Sequence, residues 1–228
     1  IISFENVAVR LQGKLILRDI DWDILKDQSW VIFGANGSGK STLVKAIFGG
    51  VDICKGKIIY NFGKKLQNFC SEEIKNKIGY VSFELHQNIL IQEDLLNVVR
   101  NYAGKDVETK AIDVIWSAAN PPTPFVKGAF KKIVKTLKIK SLVNKNFVSL
   151  SSGQARKVLI ARALMKEPKV LILDEPFDSL DEKSRKDLMK IIDKLIGERI
   201  NIILVAHRFE EISEKIGNVL LMKEGRVV

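Results

Sequence analysis

The sequence predicts an α/β protein with three parts: a core built on a mainly parallel sheet, an N-terminal antiparallel β subdomain, and an inserted helical subdomain. Three patterns carry this expectation. ISFENVAVRL followed by KLILRDIDWDI alternates apolar and polar residues at period two, as antiparallel strands with one solvated face do. KVLILD (Lys169 to Asp174) and INIILVAH (Ile200 to His207) are continuous apolar runs, the pattern of central parallel strands covered on both faces. Between residues 84 and 154 strand patterns give way to helical ones. The chain is therefore read as one domain over 1–228, with its core at 1–83 and 155–228 and the helical subdomain at 84–154.

Taken in order, WVIF is a short buried strand, and KSTLVKAIF is a helix that Gly49-Gly50 ends. KIIY and IGYVSF are further strands. In the inserted region NPPTP, Asn120 to Pro124, interrupts the helices, since no helix interior tolerates it. FVKGAFKKIVKTLKIK then places Val126, Phe130, Ile133, Val134 and Leu137 on one helix face and lysines on the other. Such a basic amphipathic helix is either a surface helix packed on its own domain or a membrane or partner contact. After KVLILD, Leu188, Ile191, Ile192 and Leu195 recur at helical spacing and complete a strand-helix-strand crossover. No internal repeat is visible.

Composition sets the outer bounds. A chain of 228 residues, 46% hydrophobic and 28% charged, is that of a soluble globular protein able to bury its own core. Its longest apolar run is five residues, Ile202 to Ala206, far below the roughly 20 of a membrane helix, and no N-terminal targeting pattern is present. The net charge of +10 fits a lysine-rich solvated surface or attraction to polyanions such as nucleotides, nucleic acid or anionic headgroups. Cys54 and Cys70 have no metal-ligand spacing and are read as reduced and structural, which suits a cytosolic protein. The opening Ile1 implies that a start methionine is lost or lies upstream. The stop at EGRVV, soon after the last strands, leaves room for a further C-terminal domain.

The chemistry begins at GANGSGKST, Gly34 to Thr42, which matches G-x-x-x-x-G-K-[ST] between a strand and a helix. Glycines let backbone N–H groups turn inward onto an anion, and the helix start adds its positive dipole end. Lys40 supplies a point charge for β- and γ-phosphates, and the Ser41 hydroxyl can reach Mg²⁺. This makes the core that of a P-loop NTPase. A phosphate cradle also needs a metal carboxylate and a means of activating water. Asp174 and Glu175, at the end of KVLILDEP, are candidates for those two roles. His207 ends the last buried strand at the edge where parallel sheets hold ligands, so it is a candidate for the γ-phosphate or the attacking water; His86 is not. LSSGQ, starting at Leu150, reads either as a second anion-binding helix start or as an ordinary cap.

Together these motifs resemble those of the ATP-binding cassette (ABC) ATPases over nearly the whole chain. GANGSGKST resembles Walker A, which implies ATP contacts from Gly34, Asn36, Gly37, Ser38, Gly39, Lys40, Ser41 and Thr42. VLILDEP resembles Walker B, implying Mg²⁺ at Ser41 and Asp174 and catalysis by Glu175 with Lys40 and His207, the switch histidine. LSSGQ resembles the signature LSGGQ, with Ser152 in place of its first glycine. The resemblance implies that two cassettes pair head to tail, so that Ser151, Gly153 and Gln154 of one cap ATP held by the other. Asp181, in DSLD, resembles the D-loop that links the two sites. Two positions depart from the pattern. Phe83 stands where glutamine is usual, with Glu84 or Gln87 as substitutes, and Leu11 stands where an aromatic commonly stacks on adenine. The Ser-Gly signature and FELH are loosely similar to cassettes related to the molybdate-transport group.

The expected function is that of a Mg²⁺-dependent ATPase subunit driving a transporter. Its partners would be a second cassette, in a homodimer or heterodimer, and separate transmembrane subunits, placing it at the inner face of the plasma membrane. The alternative is a non-transport ABC protein acting in translation or on nucleic acid, or half of a tandem-cassette ATPase. The basic charge favours that alternative.

Overall fold

A computed structural model describes residues 1–63, 65–67, 72–91, 108–118 and 124–228. They form two compact units. The first comprises Ile1–Tyr80, Pro168–Glu175 and Leu195–Val228, and the second Val81–Glu167 and Pro176–Lys194.

In the first unit β1 (Ile2–Leu11) pairs antiparallel with β2 (Lys14–Ile24) and with β4 (Ile53–Asn61), and β5 (Lys65–Gln67) extends the sheet to the order β2-β1-β4-β5. The expected alternation holds at Ile2, Phe4, Ile20, Trp22 and Ile24, all buried. It fails along Val7, Ala8 and Val9, which are buried in succession. There the register slips, and Asn6 and Asp19 adopt left-handed backbone at φ 51° and 47°. An inserted residue in one strand shifts which face its neighbours occupy, and strict periodicity in the sequence cannot announce that.

A second sheet has the order β10-β9-β3-β8-β7-β6. β3 (Trp30–Phe33) runs parallel to β8 (Asn201–Ala206) and β9 (Asn218–Lys223), and β7 (Val170–Asp174) runs parallel to β8. Every residue of β7 and β8 is buried, as their unbroken apolar character demands. β10 (Arg226–Val227) folds back antiparallel through a tight turn with φ 50° at Glu224 and 76° at Gly225. α1 (Lys40–Ile47) follows β3. Its end is a Schellman motif: the Gly50 N–H donates to the Lys45 carbonyl (2.7 Å) and the Gly49 N–H to that of Ala46 (3.2 Å). α2 (Glu72–Lys77) precedes the edge strand β6 (Ile78–Ser82).

The second unit is helical. It contains α3 (83–91), α4 (Ala111–Trp116), α5 (Pro124–Leu137), α6 (Ser152–Leu164) and most of α7 (Glu182–Gly197). Pro124 opens α5, where its missing N–H is harmless; residues 120–123 lie outside the described residues. On α5 Ile133 and Leu137 are buried, Phe130 and Val134 half-buried, and the Val126 side chain lies outside the described residues. Leu188, Ile191, Ile192 and Leu195 of α7 are buried as their spacing predicts.

Two expectations need correction. The strand IGYVSF stops at Ser82, because the Ser82 hydroxyl accepts the Leu85 N–H (3.0 Å) and so caps α3; Phe83 is its first residue. β8 ends at Ala206, so His207 lies just beyond the strand. Cys54 is free, in keeping with the reduced reading, and is exposed; Cys70 lies outside the described residues. Among the described residues no helix is long and apolar enough to cross a membrane.

Candidate active site

The loop from Gly34 to Gly39 joins β3 to α1 in the first unit, and its glycines serve different ends. Gly37 and Gly39 adopt φ 80° and 104°, a left-handed backbone that turns successive N–H groups. Gly34 is needed for space, since a Cβ there would overlap the Met222 carbonyl of β9 and approach the Ser38 hydroxyl to 2.9 Å. The β9–β10 turn holds the loop from the same side, with the Gly225 N–H donating to the Ser38 carbonyl at 2.9 Å. The motif therefore rests on the last hairpin of the chain, which sequence reading missed.

Asn36, Gly37, Gly39, Lys40, Ser41 and Thr42 line a cavity of about 460 Å³ together with Ile16 and Glu175. Ile16, from β2, supplies an apolar wall that the sequence reading did not find. Leu11, at the end of β1, is 36% exposed. The Lys40 ammonium is buried and donates to the carbonyls of Gly34 (2.9 Å) and Ala35 (3.1 Å). Its third direction meets the Glu175 carboxylate at 3.8 Å.

Asp174 ends β7 and is buried. Its Oδ1 accepts from Ser41 (3.4 Å) and its Oδ2 from the Tyr80 phenol (3.1 Å). Burial pushes the Asp174 carboxyl above the usual range, while the Tyr80 and Ser41 hydrogen bonds and then the Lys45 and Lys40 charges oppose that shift. Tyr80, stacked on Phe48 with ring centroids 5.5 Å apart, is a second residue the sequence reading missed. Its place in IGYVS, on the strand beside Walker B, was the available signal.

Glu175 takes a left-handed backbone at φ 48°, unusual for a non-glycine residue. This bend leaves its carboxylate between Lys40 and His207, whose Nδ1 lies 4.0 Å from Glu175 Oε1. That Nδ1 is buried without a hydrogen-bond partner, as is the Ser38 hydroxyl. Buried unpartnered polar atoms are uncommon and expected where a polar ligand completes the set. A hydroxyl beside a carboxylate, both hard oxygen donors, suits Mg²⁺, and turned N–H groups with a lysine suit a triphosphate. The residues fit both groups.

Ser151, Gly153, Gln154 and Asp181 belong to the second unit. Ser151 caps α6: its hydroxyl accepts the Gln154 N–H (3.4 Å), and Gln154 Oε1 accepts the Ser151 N–H (3.2 Å), a capping box. Gly153 is buried against Ser184, whose Oγ would lie 2.8 Å from a Cβ at this position. Asp181 in turn accepts from the Ser184 N–H (2.8 Å) and hydroxyl (3.0 Å) and caps α7. These bonds, the backbone one foremost, hold the Asp181 carboxyl below its usual range. Phe83 is 44% exposed. His86 packs edge-on against Phe147, and burial, then the Arg156 charge, lowers its pKa.

A sequence model of the ABC transporter family matches residues 17–178, spanning Walker A, the signature and Walker B. The chain belongs to the ABC transporter family. It is 30% identical to a putative ABC transporter ATP-binding protein of Streptococcus mutans, over the whole chain and 85% of that relative. Among solved structures, cbiO1 of Clostridium perfringens, part of the transporter complex cbiONQ, aligns with a TM-score of 0.79 and 29% identity, over the whole chain and 86% of its own length. A dimeric ATP-binding cassette solved with ADP and Pi shares the fold, at a TM-score of 0.74, 21% identity and coverage of 100% and 96%. ATP-binding domains of the ABC family are generally ATPases.

Proposed function

We propose that the chain is the Mg²⁺-dependent, ATP-hydrolysing subunit of an ABC transporter and works by ATP-dependent head-to-tail dimerisation. The observation that carries this is the placement of Glu175 beside the P-loop cavity, between Lys40 and His207. N–H groups of Asn36 to Thr42 and the Lys40 ammonium bind the phosphates. Ser41 and Asp174 would hold Mg²⁺, which supplies charge neutralisation when bound. Glu175 takes a proton from the attacking water, and the unpartnered His207 Nδ1 orients it or the γ-phosphate. Ser151, Gly153 and Gln154 cap the nucleotide of a second cassette, and Asp181 couples the two sites. In this reading the chain is one ABC domain, core 1–83 and 155–228 with helical subdomain 84–154. It sits on separate membrane subunits at the inner face of the plasma membrane.

Glu175→Gln tests the reading. Turnover falls by about 10²–10⁴-fold while ATP-bound dimers accumulate in light scattering; wild-type turnover would remove Glu175 from its role. Mixing Ser151→Arg with Lys40→Ala subunits leaves at most one working composite site per dimer. Activity independent of protein concentration would rule out pairing.

A further inference from the structure

The net charge of the chain has an address. Residues 114–166 contain eleven lysines and arginines and no acidic residue, whereas the rest of the chain carries 26 basic residues against 27 acidic ones. The whole surplus of +10 therefore falls within one stretch of the second unit. Some of these cations are spent internally: Arg156 is buried, Arg162 is buried enough to lower its pKa, and Lys157 lies 3.7 Å from Asp187. Lys131, Lys132, Lys135, Lys138, Lys140 and Lys145 are exposed. Among the described residues Lys131, Lys135, Lys138, Lys140 and Lys145 form no ion pair.

Helix geometry gathers these ammonium groups. Lys131 and Lys135 stand at i and i+4 on α5, with Lys132 beside them, opposite the buried Ile133 and Leu137. Lys138 follows at the helix end in a Schellman motif, where Ile139 N–H donates to the Val134 carbonyl at 3.1 Å. Its φ is 55°, so a lysine stands where the backbone favours glycine.

We infer that this lysine face docks on anionic lipid headgroups. Clusters of four to eight lysines on an amphipathic helix carry the charge density that phosphate headgroups attract. On the apolar side of α5 Ile133 and Leu137 are buried and Phe130 and Val134 half-buried, so the lysine face offers an electrostatic contact. RNA fits less well. The exposed cations of α5 and the turn after it are lysines, not arginines, and the half-buried aromatics Trp116 and Phe130 pack against each other, tilted by 30° with centroids 5.1 Å apart, instead of offering faces to bases. The transporter reading supplies a nearby membrane, but the docking is independent of turnover, so either can fail alone.

The test is co-sedimentation of the full chain, without ATP, with phosphatidylcholine vesicles that contain or lack phosphatidylglycerol. Binding is expected only to the anionic vesicles and is expected to vanish at about 1 M salt, where screening reaches about 3 Å. Each lysine near the surface is worth about five-fold, so Lys131→Gln/Lys135→Gln/Lys138→Gln weakens binding about 100-fold and leaves solution ATPase turnover unchanged. Lys183→Gln/Lys186→Gln/Lys190→Gln on α7, an equal charge change among acids, leaves binding intact. Lys138→Gly separates charge from folding, because it relieves the left-handed strain, raises Tm and still weakens binding about five-fold. Equal binding to neutral vesicles, or an unaffected triple variant, overturns the inference. So does single-stranded RNA that displaces the protein from vesicles and binds more tightly than they do.

Discussion

Tyr80→Phe removes the hydrogen bond that the Tyr80 phenol donates at the centre of the site. The Tyr80 phenol donates to Asp174 Oδ2 at 3.1 Å, and Asp174 is 6% exposed, so solvent cannot replace the lost donor. Phenylalanine keeps the stacking on Phe48 and removes the O–H alone. A hydrogen bond to a charged group contributes about 1.5–3 kcal/mol. At about 2–4 °C per kcal/mol for a chain of this size, Tm should fall by about 3–12 °C at neutral pH. The pH dependence supplies the sharper check. The phenol favours the ionised carboxylate, so its loss raises the already elevated Asp174 pKa further. The deficit of the variant is then largest where Asp174 is ionised and shrinks as pH falls and the carboxyl protonates. Asp174 itself, with its folded pKa raised, contributes stability below its unfolded pKa that is lost as pH rises through the folded one. Thermal unfolding across pH, with the Mg²⁺ dependence of ATP hydrolysis measured in parallel, reads both effects. An unchanged Tm and an unchanged Mg²⁺ requirement would show that Tyr80 only stacks.

Further predictions concern the loop and the caps. Gly34→Ala, sterically blocked by Met222 and Ser38, should cost about 1–3 kcal/mol in denaturant unfolding; wild-type stability would refute the close approach. Gly37→Ala has open space and only its left-handed φ, so its cost should stay near 1–2 kcal/mol. Ser151→Ala should lose about 0.5–2 kcal/mol of capping, and Ser151→Asp should regain it. ATPase activity that stays low in Ser151→Asp, despite restored stability, marks a role beyond the cap. Asp181, with its pKa lowered, contributes stability present above its unfolded pKa and lost as pH falls through the folded one. Asp181→Ala should therefore flatten the decline of Tm below about pH 4, and an unaltered acid limb would refute the cap.

How much of this was legible in the sequence depended on whether the constraint was local. The P-loop, the buried strands β7 and β8 and the apolar stripe of α7 follow from composition within a few residues, and the structure has them where the pattern put them. The slip in β1 was not legible, because a bulge changes side-chain facing without changing composition. Phe83 reads as strand in the sequence for a related reason. An apolar residue after IGYVS looks like more strand, and only the Ser82 cap shows that the helix has begun. LSSGQ was open between cap and anion site. The structure supplies the cap, and the capping box and the Gly153–Ser184–Asp181 packing give its residues a structural reason within their own unit. Glu175 is legible as a carboxylate at the strand's end, but its left-handed φ of 48° is not.

The least legible part of the site is its support, because the residues involved are far apart in sequence. Gly225 sits at φ 76° in the β9–β10 turn, donates to the Ser38 carbonyl, and leaves no room for a Cβ against the Ile16 carbonyl. Ile16 also lines the cavity. Gly225→Ala must therefore displace either the turn from the P-loop or β2 from the cavity wall. Backbone strain alone costs about 1–3 kcal/mol, with the steric overlap added. The decisive comparison is with Leu188→Ala on α7, a core deletion outside the first unit expected to cost about 2–5 kcal/mol. Both variants should unfold at lower temperature, but only Gly225→Ala should also weaken ATP binding measured well below its Tm, because it alone moves the loop proposed to hold the phosphates. Equal ATP affinity in the two variants would mean that the hairpin merely closes the sheet edge and that the loop keeps its shape without it.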